Sequence, residues 1–226
     1  MTPTANVSAT AFANRSLPAQ PIQLHRVAIS GHSHRVELFL SLLGLPFELV
    51  NVDLAAKAHK SPEFLAMNPF GQVPVIQDGD VTLADSTAIL VYLTLRYAAD
   101  ANAWLPRDPL QAAQVQRWLS AASGPLAFGP ASARVINLFK LPTPPDEAIA
   151  RAHGLLKVME QQLASTPYLV GAAPTLADIA HYSYVAHAPE GNVSLAAYPH
   201  VQAWLARIEA LPRFVPMVRT PIGLAA

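Results

Sequence analysis

Apolar and polar positions alternate at Ile22 to His25, where Ile22 and Leu24 stand between polar neighbours, and this predicts a short strand. The alternation loses phase in Arg26-Val27-Ala28-Ile29, and Ser30-Gly31-His32-Ser33 reads as a turn. The period then changes. Val36, Phe39, Leu40 and Leu43 share one helical stripe, with Ser33 as its expected N-cap and Gly44 with Pro46 as its end. Val50, Val52 and Leu54 alternate with Asn51 and Asp53, a second strand that a helical crossover places parallel to the first. Ser61-Pro62 opens a short helix that stops before Pro69. Val73 to Ile76 and Val81 to Leu83 are two strands around an Asp78-Gly79 hairpin, and a helix from about Ser86 to Tyr97 carries the stripe Ile89, Leu90, Leu93.

Beyond Pro109 no further strand pattern occurs. Leu110, Val115, Trp118, Leu119 and Ala122 mark one helix. Thr143 before Pro144-Pro145-Asp146 is the expected cap of another, with the stripe Ile149, Ala152, Leu156, Met159, Leu163. Thr175-Leu176-Ala177-Asp178 is a capping box for a mostly apolar helix, and Val201, Trp204, Leu205 and Ile208 mark the last. The pattern is βαβ, then ββα, then all helix. It divides the chain into an extension over 1–20, an α/β domain over 21–99, a linker over 100–106 and an all-α domain over 107–226.

Composition narrows the chemistry. The chain has 226 residues, 52% hydrophobic and 13% charged, with 15 basic and 15 acidic side chains. That is enough chain to bury a real core, and a net charge of zero removes the attraction that nucleic acid or an anionic membrane needs. Gly, Pro or a charge interrupts every run of apolar residues before it could span a bilayer, so a soluble protein is expected. The first twenty residues lack the basic start and apolar block of a secretory signal, and Arg15 alone gives little support to a transit peptide. There is no cysteine, which excludes disulfides, thiolate metal sites and a cysteine nucleophile. Any sulfur chemistry must use sulfur that arrives with the substrate. His181, Tyr182, Tyr184 and His187 form no metal set, since no carboxylate or cysteine completes one, and they read as a core helix face.

Two segments carry a resemblance: Asn68-Pro69-Phe70-Gly71-Gln72-Val73-Pro74-Val75 and Leu83-Ala84-Asp85-Ser86-Thr87-Ala88-Ile89. With the Ser30 turn, the Thr175 to Asp178 box and a Val115-Gln116-Arg117-Trp118-Leu119 helix, the chain over residues 21 to 215 resembles the cytosolic glutathione S-transferases, in particular bacterial serine-type members. The resemblance implies a thioredoxin-like first domain that binds glutathione as co-substrate, a helical second domain that shapes an electrophile pocket, a symmetric homodimer and a cytoplasmic location. It also implies a cis peptide at Pro74 that turns the backbone of Val73 toward the cysteinyl part of glutathione. Asp85 and Ser86 then stand at the helix end that holds the γ-glutamyl carboxylate. The family usually has Glu or Gln where this chain has Asp85, whose other role is an N-cap. For the glycine carboxylate, Lys57, His59, Lys60 and Gln72 are candidates, with His59 and Gln72 favoured by spacing.

A free thiol of pKa about 8.5 is only about 3% thiolate at pH 7, so activation means stabilising the anion. Lowering that pKa by about two units takes roughly 2.7 kcal/mol. A hydroxyl donor supplies on the order of 1.5–3 kcal/mol, and a helix N-terminus up to about 1 kcal/mol more. The resemblance makes Ser30 the thiolate donor, with His32 and Ser33 as the alternatives in the same turn. Without cysteine the glutaredoxin-like reaction is excluded, and no tyrosine near the turn in sequence supports a tyrosine-type mechanism. Conjugation, glutathione-dependent peroxidase chemistry and isomerisation stay open, as does a family-like protein that binds a ligand or partner without turnover. Phe128 and Arg134, in a segment with Asn137 and Phe139, are the candidates for the electrophile pocket, with core packing as their other reading.

Overall fold

Four strands, β1 (Ile22–Arg26), β2 (Phe47–Asn51), β3 (Val75–Asp78) and β4 (Val81–Ala84), form one mixed sheet in the order β2-β1-β3-β4 in a computed structural model that describes residues 17–226. All but the last four residues of the expected extension lie outside the described residues. β1 and β2 run parallel, joined by helix α1 (Gly31–Leu43), and β3 and β4 run antiparallel. β2 begins at Phe47, opposite Ile22, rather than at Val50. It is an edge strand with no fully buried position, so burial imposes no alternation that the sequence could display. β3 starts at Val75, because Pro74 has no N–H to give a ladder.

The cap of α1 also differs from expectation. Ser30, not Ser33, is the N-cap: its backbone is extended and its Oγ accepts the Ser33 N–H at 3.3 Å. Ser33 is fully buried, and its Oγ accepts the Val27 N–H. Gly44 closes the helix in the left-handed conformation that glycine adopts without steric cost. Helix α2 (Pro62–Met67) is capped by Ser61, and α3 (Ser86–Tyr97) has the bounds that its stripe predicts.

A short helix α4 (Ala101–Trp104) occupies the expected linker. There follow α5 (Pro109–Ser123), a π-helical turn at Ala127–Ala131, α6 (Ser132–Leu138), α7 (Asp146–Leu163), α8 (Leu176–Ala186) and α9 (Pro199–Glu209). Thr143 does not cap α7. The N-cap is Pro145, which makes no side-chain cap bond, and Asp146 and Glu147 oppose the positive helix end instead. The expected capping box of α8 is present: the Asp178 carboxylate accepts from the Thr175 backbone and hydroxyl, the Leu169 N–H and the Trp204 indole. Among the described residues no helix is long and apolar enough to cross a membrane.

α8 runs through the centre of the core and packs against α1 and α5, which joins the two halves. Polar connections also cross this junction. His34 donates from Nε2 to the Val215 carbonyl and so must accept at Nδ1 from the Ser183 hydroxyl, each at 2.9 Å. Arg134, 1% exposed, donates Nε to Glu190 and Nη1 to the Ile29 carbonyl, both at 2.7 Å. Glu190 also accepts from the Thr220 N–H and pairs with His187 Nδ1. Burial raises the Glu190 carboxyl, but these donors outweigh it and hold the group below its usual range.

Replacing Arg134 by Met should leave Glu190 buried with only His187 and the Thr220 N–H as partners, and should remove the Ile29 carbonyl's donor. A loss of about 3 kcal/mol is expected, read from urea unfolding midpoints. Burial also pulls the His34 imidazole down from 6.5 to about 4. The unfolded chain therefore binds a proton there that the folded chain refuses. The contribution of His34 is complete above about pH 6.5 and is lost as pH falls toward 4. His34→Gln should flatten the dependence of unfolding free energy on pH across that window by about one proton, measured by denaturation at a series of pH values.

Candidate active site

The sheet half and the helical half leave a cleft of about 560 Å³ between them. One wall is the segment after α2. Asn68 Nδ2 donates to the Gln72 carbonyl and Asn68 Oδ1 accepts the Phe70 N–H, which shapes the bend that presents Gln72, Val73 and Pro74 to the cleft. The Val73-Pro74 peptide is cis, as expected. Gly71 sits at φ +57, where an added Cβ would meet the His59 carbonyl and the Lys60 ammonium at 2.7 Å. Lys60 is held there by the Phe70 and Gly71 carbonyls, so it braces this bend. His59 does not line the cleft, whereas Gln72 does.

The facing wall is the start of α3. Asp85 has a left-handed backbone, φ 71, and its Oδ1 accepts the Thr87 and Ala88 N–H groups and the Thr87 hydroxyl. Burial raises the Asp85 carboxyl, yet these bonds and the charge of Arg35 bring it below its usual range. With the second and third amides of α3 taken, the Ser86 N–H remains for an anion at the positive helix end. Ser86 Oγ accepts from Arg35 Nη1 at 2.7 Å and lies 3.4 Å from His32 Nδ1.

Arg35 was not anticipated from the sequence. It is 1% exposed, yet it lines the cleft, and its Nε and Nη2 have no partner. Burial lowers its pKa to about 10, which leaves it charged at neutral pH, with Tyr184 and Asp85 acting in its favour. A signal was available: Arg35 lies four residues before Phe39, within the buried face of α1, where a charge needs a polar reason. Next to it, His32 lines the cleft as a neutral imidazole. Burial first, and then the charge of Arg35, pull its pKa to about 3.

Ser30 stands half-buried at the N-terminus of α1, two residues before His32, and does not itself form the cleft wall. Ser33 points away, into the sheet half, and cannot serve as the alternative donor. Arg134 is likewise removed from the candidate electrophile pocket, because both its bonded nitrogens are spent inside the fold. Phe128 is exposed on the π-helical turn, and from the helical half it is Ser123 and Ala127 that reach the cleft. A tyrosine distant in sequence does stand beside the turn. Tyr184, from α8, lies against Gly31, where an added Cβ would come within 2.8 Å of its ring, and it packs edge-on against His32 at 4.9 Å.

Comparison with known proteins agrees with this geometry. The models of the glutathione S-transferase N-terminal and C-terminal domains match residues 22–94 and 131–212. Glutathione S-transferase 3 of Zea mays is 39% identical over 206 residues, 86% of this chain and 91% of that protein. A crystal structure of a glutathione S-transferase from Pseudomonas fluorescens is 38% identical, with a TM-score of 0.81 over 88% of this chain and 100% of that one. A glutathione transferase homologue from Drosophila mojavensis with bound glutathione is 31% identical, with a TM-score of 0.77 over 85% of this chain and 89% of that one. An α/β sheet half, a cis Val73-Pro74 step, a serine at the head of α3 and a helical half matched by both domain models place this chain in the glutathione S-transferase family.

Proposed function

We propose that the cleft binds glutathione and that Ser30, in the manner of serine-type members, donates a hydrogen bond to its thiolate for attack on a small apolar electrophile or a hydroperoxide. The observation that carries this reading is Arg35, a buried cation without a carboxylate partner in a cleft that would receive a peptide with two carboxylates. Ser86, with its N–H at the end of α3 and its hydroxyl beside Arg35, receives the γ-glutamyl carboxylate, and Asp85 stands beside the amine end. Val73 and Pro74 present backbone to the cysteinyl unit, with Gln72 nearest the glycine end and His59 outside the cleft wall, behind the bend at Gly71. His32, kept neutral, closes the wall next to the sulfur without contributing charge. Phe128, beside Ala127, borders the mouth where an apolar electrophile enters. The protein functions as a symmetric homodimer in the cytoplasm on this reading, in which exposed Phe70 and Leu95 are available for a second copy to cover.

Calorimetric titration with glutathione, followed by assays with an aromatic halide, a hydroperoxide and a cis–trans isomerisable substrate, tests the proposal. Absence of binding at millimolar glutathione would favour a non-catalytic binding protein. Ser30→Ala should lower the thiolate fraction at pH 7 about tenfold, seen as loss of ultraviolet thiolate absorbance in the complex, with glutathione affinity little changed. Arg35→Met should weaken glutathione binding about tenfold or more, with Arg35→Lys recovering part of it, measured by the same calorimetry.

A further inference from the structure

The peptide that joins Ile29 to Ser30 is held at both of its polar ends. Its N–H donates to the Val27 carbonyl at 2.9 Å, and its carbonyl accepts from Arg134 Nη1 at 2.7 Å. The first bond is local to the turn between β1 and α1, where Ser33 Oγ also takes the Val27 N–H at 3.3 Å. The second comes from α6, 105 residues further along the chain. The guanidinium that supplies it is fixed independently of Ile29. Arg134 is 1% exposed, its Nε donates to the Glu190 carboxylate at 2.7 Å, and Asn137 on the same helix donates to the Glu190 carbonyl at 2.7 Å. Gly191 lies so close to α6 that an added Cβ would stand 2.5 Å from the Arg134 backbone nitrogen. Ser30 itself has little to hold its hydroxyl: the residue is half-buried, and its Oγ accepts a single amide, from Ser33, at a long 3.3 Å. Its φ of −87 is the torsion between the Ile29-Ser30 peptide plane and its own side chain. A turn of that plane therefore redirects the hydroxyl, and a group that must meet a reacting atom tolerates only about 0.5 Å or 10–20° of displacement.

We infer that Arg134 is a positioning residue for glutathione activation: by holding the Ile29 carbonyl it sets the peptide plane ahead of Ser30 and so aims the Ser30 hydroxyl at the substrate sulfur. The inference rests on the proposed role of Ser30. Arginine suits the task because one rigid, planar group faces two acceptors at once, a carboxylate and a carbonyl. A lysine ammonium keeps the charge beside Glu190 but lacks the second fixed donor, so the plane ahead of Ser30 is left to the Val27 carbonyl alone. The charged groups that meet Arg134 are Glu190 and, across that carboxylate, His187.

The test is the pKa of bound glutathione, read from thiolate absorbance against pH, in the full-length protein and in Arg134→Lys, Ser30→Ala and the double variant. Arg134→Lys should shift the rising limb of both the absorbance and the kcat/KM profile to higher pH and lower the thiolate fraction at pH 7 about two- to tenfold, with KM for glutathione unchanged. In the Ser30→Ala background the same change should add nothing. Gly191→Ala displaces the Arg134 backbone without removing the guanidinium and should move the limb in the same direction. This arm decides the matter if the lysine variant fails to fold. Met159→Ala, a truncation in the core of the helical half that also weakens the fold, should leave the limb in place. An unchanged thiol pKa in Ser30→Ala would overturn the Ser30 reading itself. A shift in Ser30→Ala with none in Arg134→Lys or Gly191→Ala would overturn the role of Arg134 alone. An equal shift in Met159→Ala, or an undiminished Arg134 effect in the double variant, would do the same.

Discussion

Arg134 holds one carbonyl oxygen that the rest of the active turn is measured from. Its guanidinium joins the Glu190 carboxylate to the Ile29 carbonyl, the last peptide before Ser30. Removing such a pair from water costs several kcal/mol per ion, and the attraction between them returns this only when the remaining polar atoms are also satisfied. Here His187 and Thr220 complete the carboxylate and Asn137 donates to the Glu190 carbonyl, but Arg134 Nη2 is buried without a partner. The arrangement therefore contributes placement more than net stability: Ile29 is fixed relative to the helical half, and α1 starts from a point that cannot drift.

From that point the polar groups of α1 reach outward in different directions. Ser33 returns to the Val27 backbone, His34 crosses to Ser183 and Val215, and Arg35 extends to Ser86 at the head of α3. One short run, Ser30 to Arg35, thus connects the sheet, the tail after α9, the end of α3 and, through Tyr184, the middle of α8. The two halves of the protein are not a binding domain beside a separate pocket domain. The helical half sets the backbone from which the first half operates.

Much of this was legible in the chain because local chemistry decides it. The stripe Ile89, Leu90, Leu93 gave α3 its bounds, Thr175 to Asp178 gave the start of α8, and Val73-Pro74 with Ser86 marked two walls of the cleft. The rest depended on partners far away in sequence. Ser33 resembles a cap as much as Ser30 does, until the Val27 amide claims it. Arg134 has the features of a pocket cation until Glu190, 56 residues later, consumes it. Arg35 and Tyr184 were missed for complementary reasons. One was a charge within an apolar stripe, readable but passed over, and the other was an aromatic residue on a buried helix face, where core packing is the ordinary explanation and only the missing side chain at Gly31 reveals the contact.

The neutrality of His32 has a consequence for proton traffic. The titratable side chains around the cleft all sit well away from pH 7: His32 near 3, Asp85 below its usual range, Arg35 near 10 and Tyr184 above the ordinary phenol value. None of them can take up the hydrogen that the thiol loses. A thiol bound in this cleft would therefore meet a fixed electrostatic mould rather than a base, and its proton would have to leave to solvent.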